Sequence, residues 1–228
     1  MKDENRIDRS RCTGCGLCVQ VCPAAALKKI GCEYEIEELA DILLRDRLFY
    51  ETSGGGVTLS GGEATGQLKF AASLLDRLHQ EGIHTTIETN GLFSYEEFAA
   101  TCLDHLDLIL FDLKFIDSVQ HQEVLGAGNE CIKENLSRLL KSRSREVIVR
   151  IPIIPGFTAT RENIVRISEY LHQLKVHFYS LLPYHPYGLV KASAINMISD
   201  SGLPEEAMAE SELVQWQEFF HGMERVAV

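Results

Sequence analysis

At 228 residues with 45% hydrophobic content, the chain can bury one substantial core, and single-domain barrels routinely reach this size. A formal net charge of -11 argues against nucleic acid as a partner, because phosphates demand a basic face. The charged opening MKDENRIDRSR has no apolar segment behind it, and no run approaches the ~18 apolar residues of a membrane span, so a soluble cytoplasmic protein with no membrane association is expected.

The first segment is dominated by cysteine. Four of the seven cysteines lie in CTGCGLCVQVCP: Cys12, Cys15, Cys18 and Cys22, with Pro23 following. C-x2-C-x2-C-x3-C-P is the bacterial ferredoxin signature, in which closely spaced thiolates wrap an iron–sulfur cubane and small residues let backbone amides approach the sulfides. A zinc site with four ligands this tightly spaced and no second pair would be unusual. A disulfide framework does not suit a cytoplasmic chain. In two-cluster ferredoxins the fourth cysteine, here Cys22, ligates the other cluster, and a second run supplies the missing ligand. The sequence holds no second run; Cys32 is either a substitute ligand or an ordinary cysteine opening the next segment. Residues 1–34 are accordingly read as a ferredoxin-type iron–sulfur segment and residues 35–228 as the body of the chain.

From Glu35 onward, short apolar runs alternate with helical patterns. The spacing predicts a helix over EIEELADILLRD, a buried strand at 57–60, and a helix over 64–82 with Leu68, Ala71, Ala72, Leu75 and Leu78 on one face. A strand at 84–89 and a helix at 94–106, with Ser94 as its N-cap, repeat the unit. Next come a strand at 107–113, a helix at about 129–143, a strand at 146–154, a helix at 160–174 and a strand at 177–184. A C-terminal amphipathic helix over about 205–224 is expected to pack Leu213, Trp216 and Phe220 onto the core. Cys102 and Cys131 fall in helical patterns, where a buried free thiol is the ordinary expectation. Five strands alternating with helices make an α/β protein with a parallel sheet, either doubly wound or an open barrel.

Sheets of this kind place their chemistry at the carboxyl ends of the strands. The strand at 57–60 leads into Gly61-Gly62-Glu63, and that at 84–89 ends in Glu88-Thr89-Asn90-Gly91. The strand at 107–113 ends in Asp112-Leu113-Lys114, and that at 177–184 in Pro183-Tyr184-His185. Arg150 is a charge inside the apolar run VIVRIPII and must be paired if its side chain is buried. Singly, each cluster could be a turn, a solvated rim pair or a loop residue. Together they aim charge and exposed backbone at one end of the sheet.

Two stretches imitate an ATPase. LSGGE is one letter from the LSGGQ signature, and LDLILFD at 106–112 imitates an apolar strand ending in a metal-binding aspartate. ATP hydrolysis also needs the phosphate loop G-x-x-x-x-G-K-S/T, and no Gly-Lys pair occurs in the sequence. The glycines at 61 and 62 therefore serve another ligand.

The motifs SGGGVTLSGGE, IETNG, LFDLK, VRIPIIPGFT and LLPYH, in this order and spacing behind the ferredoxin run, resemble the radical S-adenosylmethionine activases of glycyl radical enzymes. The resemblance covers roughly residues 8–190. It implies a partial (β/α)6 radical-SAM barrel binding S-adenosylmethionine and 4Fe–4S clusters, in which one-electron reduction cleaves the cofactor to methionine and a 5′-deoxyadenosyl radical that takes a hydrogen atom from a partner glycine. By this resemblance Gly61, Gly62 and Glu63 would offer backbone acceptors to the methionine ammonium. Glu88 and Asp112 would be carboxylates near the cofactor, and Lys114, Arg150 and His185 would contact its carboxylate and adenosine parts. Cys12, Cys15, Cys18 and Cys22 would ligate iron. The segment DSVQHQEVLGAGN, through Asp117, His121, Gly126 and Asn129, resembles the part that engages the glycyl loop of the partner glycyl radical enzyme, with an electron donor such as flavodoxin or ferredoxin as second partner.

Two departures from the family pattern stand out. Ala64 replaces the proline of GGEP, which alters the rigidity of the helix entry. The C-x3-C-x2-C motif, whose thiolates hold the catalytic cluster, does not occur in the 228 residues. The chain is therefore expected to lack the first barrel strand and half of the cluster insert. The competing expectation is a non-catalytic ferredoxin-like electron-transfer or interaction protein on a vestigial barrel.

Overall fold

The computed structural model of the protein describes residues 7–8, 11–195 and 202–227. The cysteine-rich segment contains one helical turn, α1 (Leu17–Gln20), between stretches of irregular backbone. Gly14 and Gly16 there adopt φ of 73° and 75°, a region that favours glycine. Helices α2 (Ile36–Leu44) and α3 (Arg47–Ser53) lead into β1 (Gly56–Leu59). The βα units that follow are α4 (Leu68–Gln80), entered through a 3-10 turn over Ala64–Gln67, then β2 (His84–Thr89), α5 (Tyr95–Thr101) and β3 (Leu108–Asp112). Helices α6 (Ser118–Leu125) and α7 (Glu130–Arg143) separate β3 from β4 (Val147–Ile153), and α8 (Arg161–Gln173) separates β4 from β5 (Phe178–Pro183). Helices α9 (Tyr187–Ala194) and α10 (Val214–Gln217) precede a two-residue strand, β6 (Glu224–Arg225).

The six strands form one sheet in sequence order, β1-β2-β3-β4-β5-β6, and every adjacent pair is parallel. Register and side-chain alternation divide the sheet into two faces of opposite character. On one face Ile87, Ile109, Phe111, Val147, Val149, Ile151, Tyr179 and Leu181 join a single apolar core. The helices bring Phe98, Leu136, Leu139, Ile164, Ile167 and Leu171 to it, each buried to 0% exposure. Each such aliphatic or aromatic side chain stabilises the fold by roughly 1.5–3 kcal/mol on burial. A smaller cluster joins Val57, Ala40, Leu74, Leu78 and Ile83, seating α2 on α4 beside β1. On the other face, Glu88 pairs in register with Leu110, and Asp112 with Arg150, which in turn pairs with Ser180. The α/β architecture and the parallel sheet thus match the reading of the periodicity.

Three expectations are corrected. The C-terminal stretch is not one helix over 205–224 but a 3-10 turn (Glu210–Leu213), the single turn α10, and β6. Its anchors hold nonetheless: Leu213 and Phe220 are 0% and 2% exposed, and Trp216 packs half-buried against the core. Among the described residues the sheet has six strands rather than five, because Glu224 and Val226 donate backbone N–H groups to the carbonyls of His177 and Tyr179. Cys131 is exposed, since α7 turns it away from the face that buries Ile132 and Leu136, whereas Cys102 is buried as expected. No helix among the described residues is long and apolar enough to cross a membrane.

Candidate functional site

Arg150 organises the polar face. It is 9% exposed, in the middle of β4, and a buried guanidinium is tolerable only when its donors are matched. Two carboxylates match them. Nη1 donates to Glu88 Oε1 at 2.7 Å, and Nε and Nη2 each lie 2.8 Å from Asp112 Oδ1. Lys114 Nζ reaches Asp112 Oδ2 at 3.3 Å, and Ser60 Oγ donates to Glu88 Oε2 at 2.5 Å. The ends of β2 and β3 are thus joined to the middle of β4 by one ionic frame, to which the Ser60 hydroxyl ties the end of β1. Burial pushes the Glu88 carboxyl up, but the hydrogen bonds from Arg150 and Ser60 outweigh it and hold the group below its ordinary value. Burial likewise works against the Arg150 charge, and Glu88 and Asp112 overcome it and raise its pKa.

Glu63 ties neighbouring loops together. Its Oε1 accepts from the Thr65 N–H at 3.1 Å and from the Thr65 hydroxyl at 2.8 Å, while Oε2 accepts from the Asn90 N–H at 2.8 Å. Its side chain is therefore engaged, and what the loop leaves open is its backbone. Gly61 has φ of 126°, and a Cβ at either Gly61 or Gly62 would meet nothing within 4 Å. The loop can therefore be approached closely by a ligand, as a backbone-acceptor role requires. Seven of the eight predicted cofactor residues line one cavity of about 80 Å³ with this loop; His185 does not. It is exposed beyond β5, with its ring stacked on Tyr187 at 3.5 Å between centroids. Ser60 is the residue that sequence reasoning missed; its only signal was its place directly before the two glycines.

The cysteine segment carries the electrostatics of a thiolate site. Gly14 N–H donates to Cys12 Sγ at 3.4 Å and Ala26 N–H to Cys22 Sγ at 3.3 Å. The Leu17 backbone N–H and the Thr13 hydroxyl lower the Cys15 pKa. Amide donors aimed at sulfur suit iron–sulfur ligation. Among the described residues, however, no three His, Cys, Asp or Glu side chains gather where they could hold one metal ion. The donor chemistry of the run fits a cluster, in which each cysteine binds a different iron, so that the four thiolates need not meet at one point.

The four residues expected to face a partner protein lie on α6 and its flanks. Asp117 caps α6 through the Val119 and Gln120 N–H groups and pairs with Arg166 at 3.1 Å. His121 is 6% exposed with Nδ1 2.6 Å from the Ala127 carbonyl, and Gly126 ends the helix at φ of 81°. Asn129 is completely buried. Beside the polar Gln120, Gln122 and Glu123, α6 exposes three apolar side chains, Val119, Val124 and Leu125.

The sequence is matched over residues 11–178 by the model of the Radical SAM superfamily. The isethionate sulfite-lyase activating enzyme of Oleidesulfovibrio alaskensis is 37% identical over 212 residues, which cover 90% of this chain and 68% of that protein. The pyruvate formate-lyase 2-activating enzyme of Escherichia coli is 39% identical over 185 residues, 78% of this chain and 62% of that protein. The chain thus spans about two thirds of the length of these curated relatives. A solved domain of a pyruvate-formate lyase-activating enzyme from Bacteroides vulgatus superposes with a TM-score of 0.52 at 33% identity, over 65% of this chain and 96% of that one. A radical SAM methyltransferase from Sphaerobacter thermophilus, at 12% identity and a TM-score of 0.60 over 85% of this chain and 57% of that one, shares the fold alone. Together with the polar face and its open glycine loop, these matches place the chain in the Radical SAM superfamily and, within it, in the family of glycyl radical enzyme activating enzymes.

Proposed function

We propose that the chain serves in the activation of a glycyl radical enzyme, binding S-adenosylmethionine at the carboxyl end of its sheet and presenting it to a glycine of the partner. The observation that carries this reading is the ionic frame of Glu88, Arg150, Asp112 and Lys114 beside an open glycine loop. Bound S-adenosylmethionine and a reduced 4Fe–4S cluster supply the radical chemistry. The chain's own residues bind and orient. Carbonyls of the 61–63 loop accept from the methionine ammonium, Lys114 and Arg150 bias the cavity toward its carboxylate, and Glu88 and Asp112 offset the positive charge of the sulfonium. His185, on the β5 exit, faces the adenosine part. The partner is met by α6, whose exposed Val119, Val124 and Leu125 are carried on a frame held by Asp117, His121, Gly126 and Asn129. Flavodoxin or ferredoxin is the electron donor in this reading.

Titration calorimetry of S-adenosylmethionine into the purified chain tests the reading. Saturable binding is expected, weakened at least about tenfold in Arg150→Ala, because removing the guanidinium leaves two carboxylates facing each other without a cation. Equal affinity in the two proteins removes Arg150 from the site, and no binding by either overturns the cofactor assignment.

A further inference from the structure

The chain that leaves β3 runs without a strand partner, and its carbonyls are nonetheless satisfied. Asn163 Nδ2 donates to the Lys114 carbonyl at 2.9 Å, and Asn129 Nδ2 donates to those of Phe115 and Ile116 at 2.8 and 3.0 Å. Three consecutive carbonyls are held by two amides from two different elements, α8 and the N-cap of α7. Asn163 also donates to the Thr158 carbonyl at 3.1 Å. Thr158 itself closes the β4 exit: its hydroxyl accepts from the Ile154 N–H at 2.8 Å and donates to the Pro152 carbonyl at 2.5 Å. Asn163 therefore clamps the β3 exit to the β4 exit.

These amides are placed at a cost. Asn163 and Asn129 are 3% and 0% exposed, and the Oδ1 of each has no hydrogen-bond partner among the described residues. A buried acceptor left unpaired is unfavourable, and an apolar side chain of similar volume would avoid the penalty. What an apolar side chain could not do is donate to those backbone oxygens. The position so held is that of Lys114, whose ammonium lies on Asp112, the carboxylate that also receives Arg150.

We propose that Asn163 is a positioning residue for the cofactor end of the sheet, fixing the Lys114 backbone against the β4 exit so that the ammonium stays on the Asp112 side of the frame. The consequence for S-adenosylmethionine rests on the cofactor reading above; the geometry does not. The test uses the whole chain with its lysines reductively methylated with carbon-13, a modification that keeps their charge. The Lys114 resonance is identified by its loss in Lys114→Arg. In Asn163→Ala that resonance is expected to move to the position of exposed lysines, and affinity for S-adenosylmethionine to fall about tenfold. Leu171→Ala, a cavity in the same helix α8, controls for mere destabilisation and is expected to lower the melting temperature while leaving the Lys114 resonance in place. If Asn163→Ala does not fold, Asn163→Asp, which keeps the volume and withdraws both N–H donors, is read in the same way.

An unmoved Lys114 resonance in either folded variant overturns the proposal, as does an equal shift in Leu171→Ala. A moved resonance with undiminished cofactor affinity overturns its functional half. A moved resonance in a protein whose wild type binds no S-adenosylmethionine leaves the positioning role standing and rejects the cofactor reading instead.

Discussion

At the scale of single residues, Arg150 shows how a charge becomes tolerable inside a sheet. Its side chain is 10% exposed and lies between carboxylates that are 28% and 19% exposed, so the frame is only partly dehydrated. The position was legible in the sequence, because a lone cation in VIVRIPII must find anions and the neighbouring strand ends offered Glu88 and Asp112. Ser60 was not, because a hydroxyl before two glycines looks like any loop residue until β1 pairs with β2 and sets it beside Glu88. The role of the Glu63 carboxylate was also hidden, since the Asn90 N–H it accepts is 27 positions away in sequence and becomes a neighbour only in the fold. The Glu88 pKa gives a pH prediction with a definite sign. A carboxyl held below its ordinary value contributes stability that is fully present above the unfolded value, about 4.3, and is lost as pH falls through the folded one. Glu88→Gln should therefore be less stable than wild type to urea at neutral pH, with the gap narrowing as the pH is lowered below about 4.3. A gap independent of pH would show that the Arg150 bond does not depend on the Glu88 charge.

At the scale of elements, strands were legible where burial is one-sided or complete, and helices where an apolar stripe recurs. Helix α6 escaped notice because it leaves Val119, Val124 and Leu125 exposed and has only His121 buried, so no apolar stripe marks it. The C-terminal segment misled in the opposite direction. Leu213, Trp216 and Phe220 have helical spacing, but Gly222 turns at φ of 81° and the backbone after it pairs with β5. The turn after β2 shows how closely elements constrain one another. Gly91 has φ of 80°, a Cβ there would lie 2.1 Å from Phe111 Cζ, and its carbonyl accepts from Asn135 Nδ2 of α7 at 2.9 Å. Gly91→Ala combines left-handed strain with overpacking of a buried ring and should destabilise the protein by about 2–4 kcal/mol. For a chain of this length that corresponds to a melting temperature lower by roughly 4–16 °C. A shift within 2 °C would mean that Phe111 can swing aside and that the turn is not rigid.

At the scale of the molecule, the two edges of the sheet are unlike. The β6 edge is two residues long and charged, Glu224–Arg225, with Arg225 paired to Glu210 at 3.4 Å. Short, charged edges resist pairing with other chains. The β1 edge, Gly56–Leu59, pairs only with β2 among the described residues and carries no charge, and a groove of about 570 Å³ runs beside it between α2 and α4. An uncharged strand with free N–H and C=O groups is a template for another strand. The chain should therefore associate with itself as its concentration rises, which sedimentation velocity would detect as a weight-average mass climbing above 25.6 kDa. Thr58 is exposed, so Thr58→Lys places a charge on this edge without touching the core and should return the mass to that of the monomer at the same concentration. Association unaffected by Thr58→Lys would move the contact away from β1, and a wild-type chain monomeric throughout would show that the α2–α4 side already shields the strand.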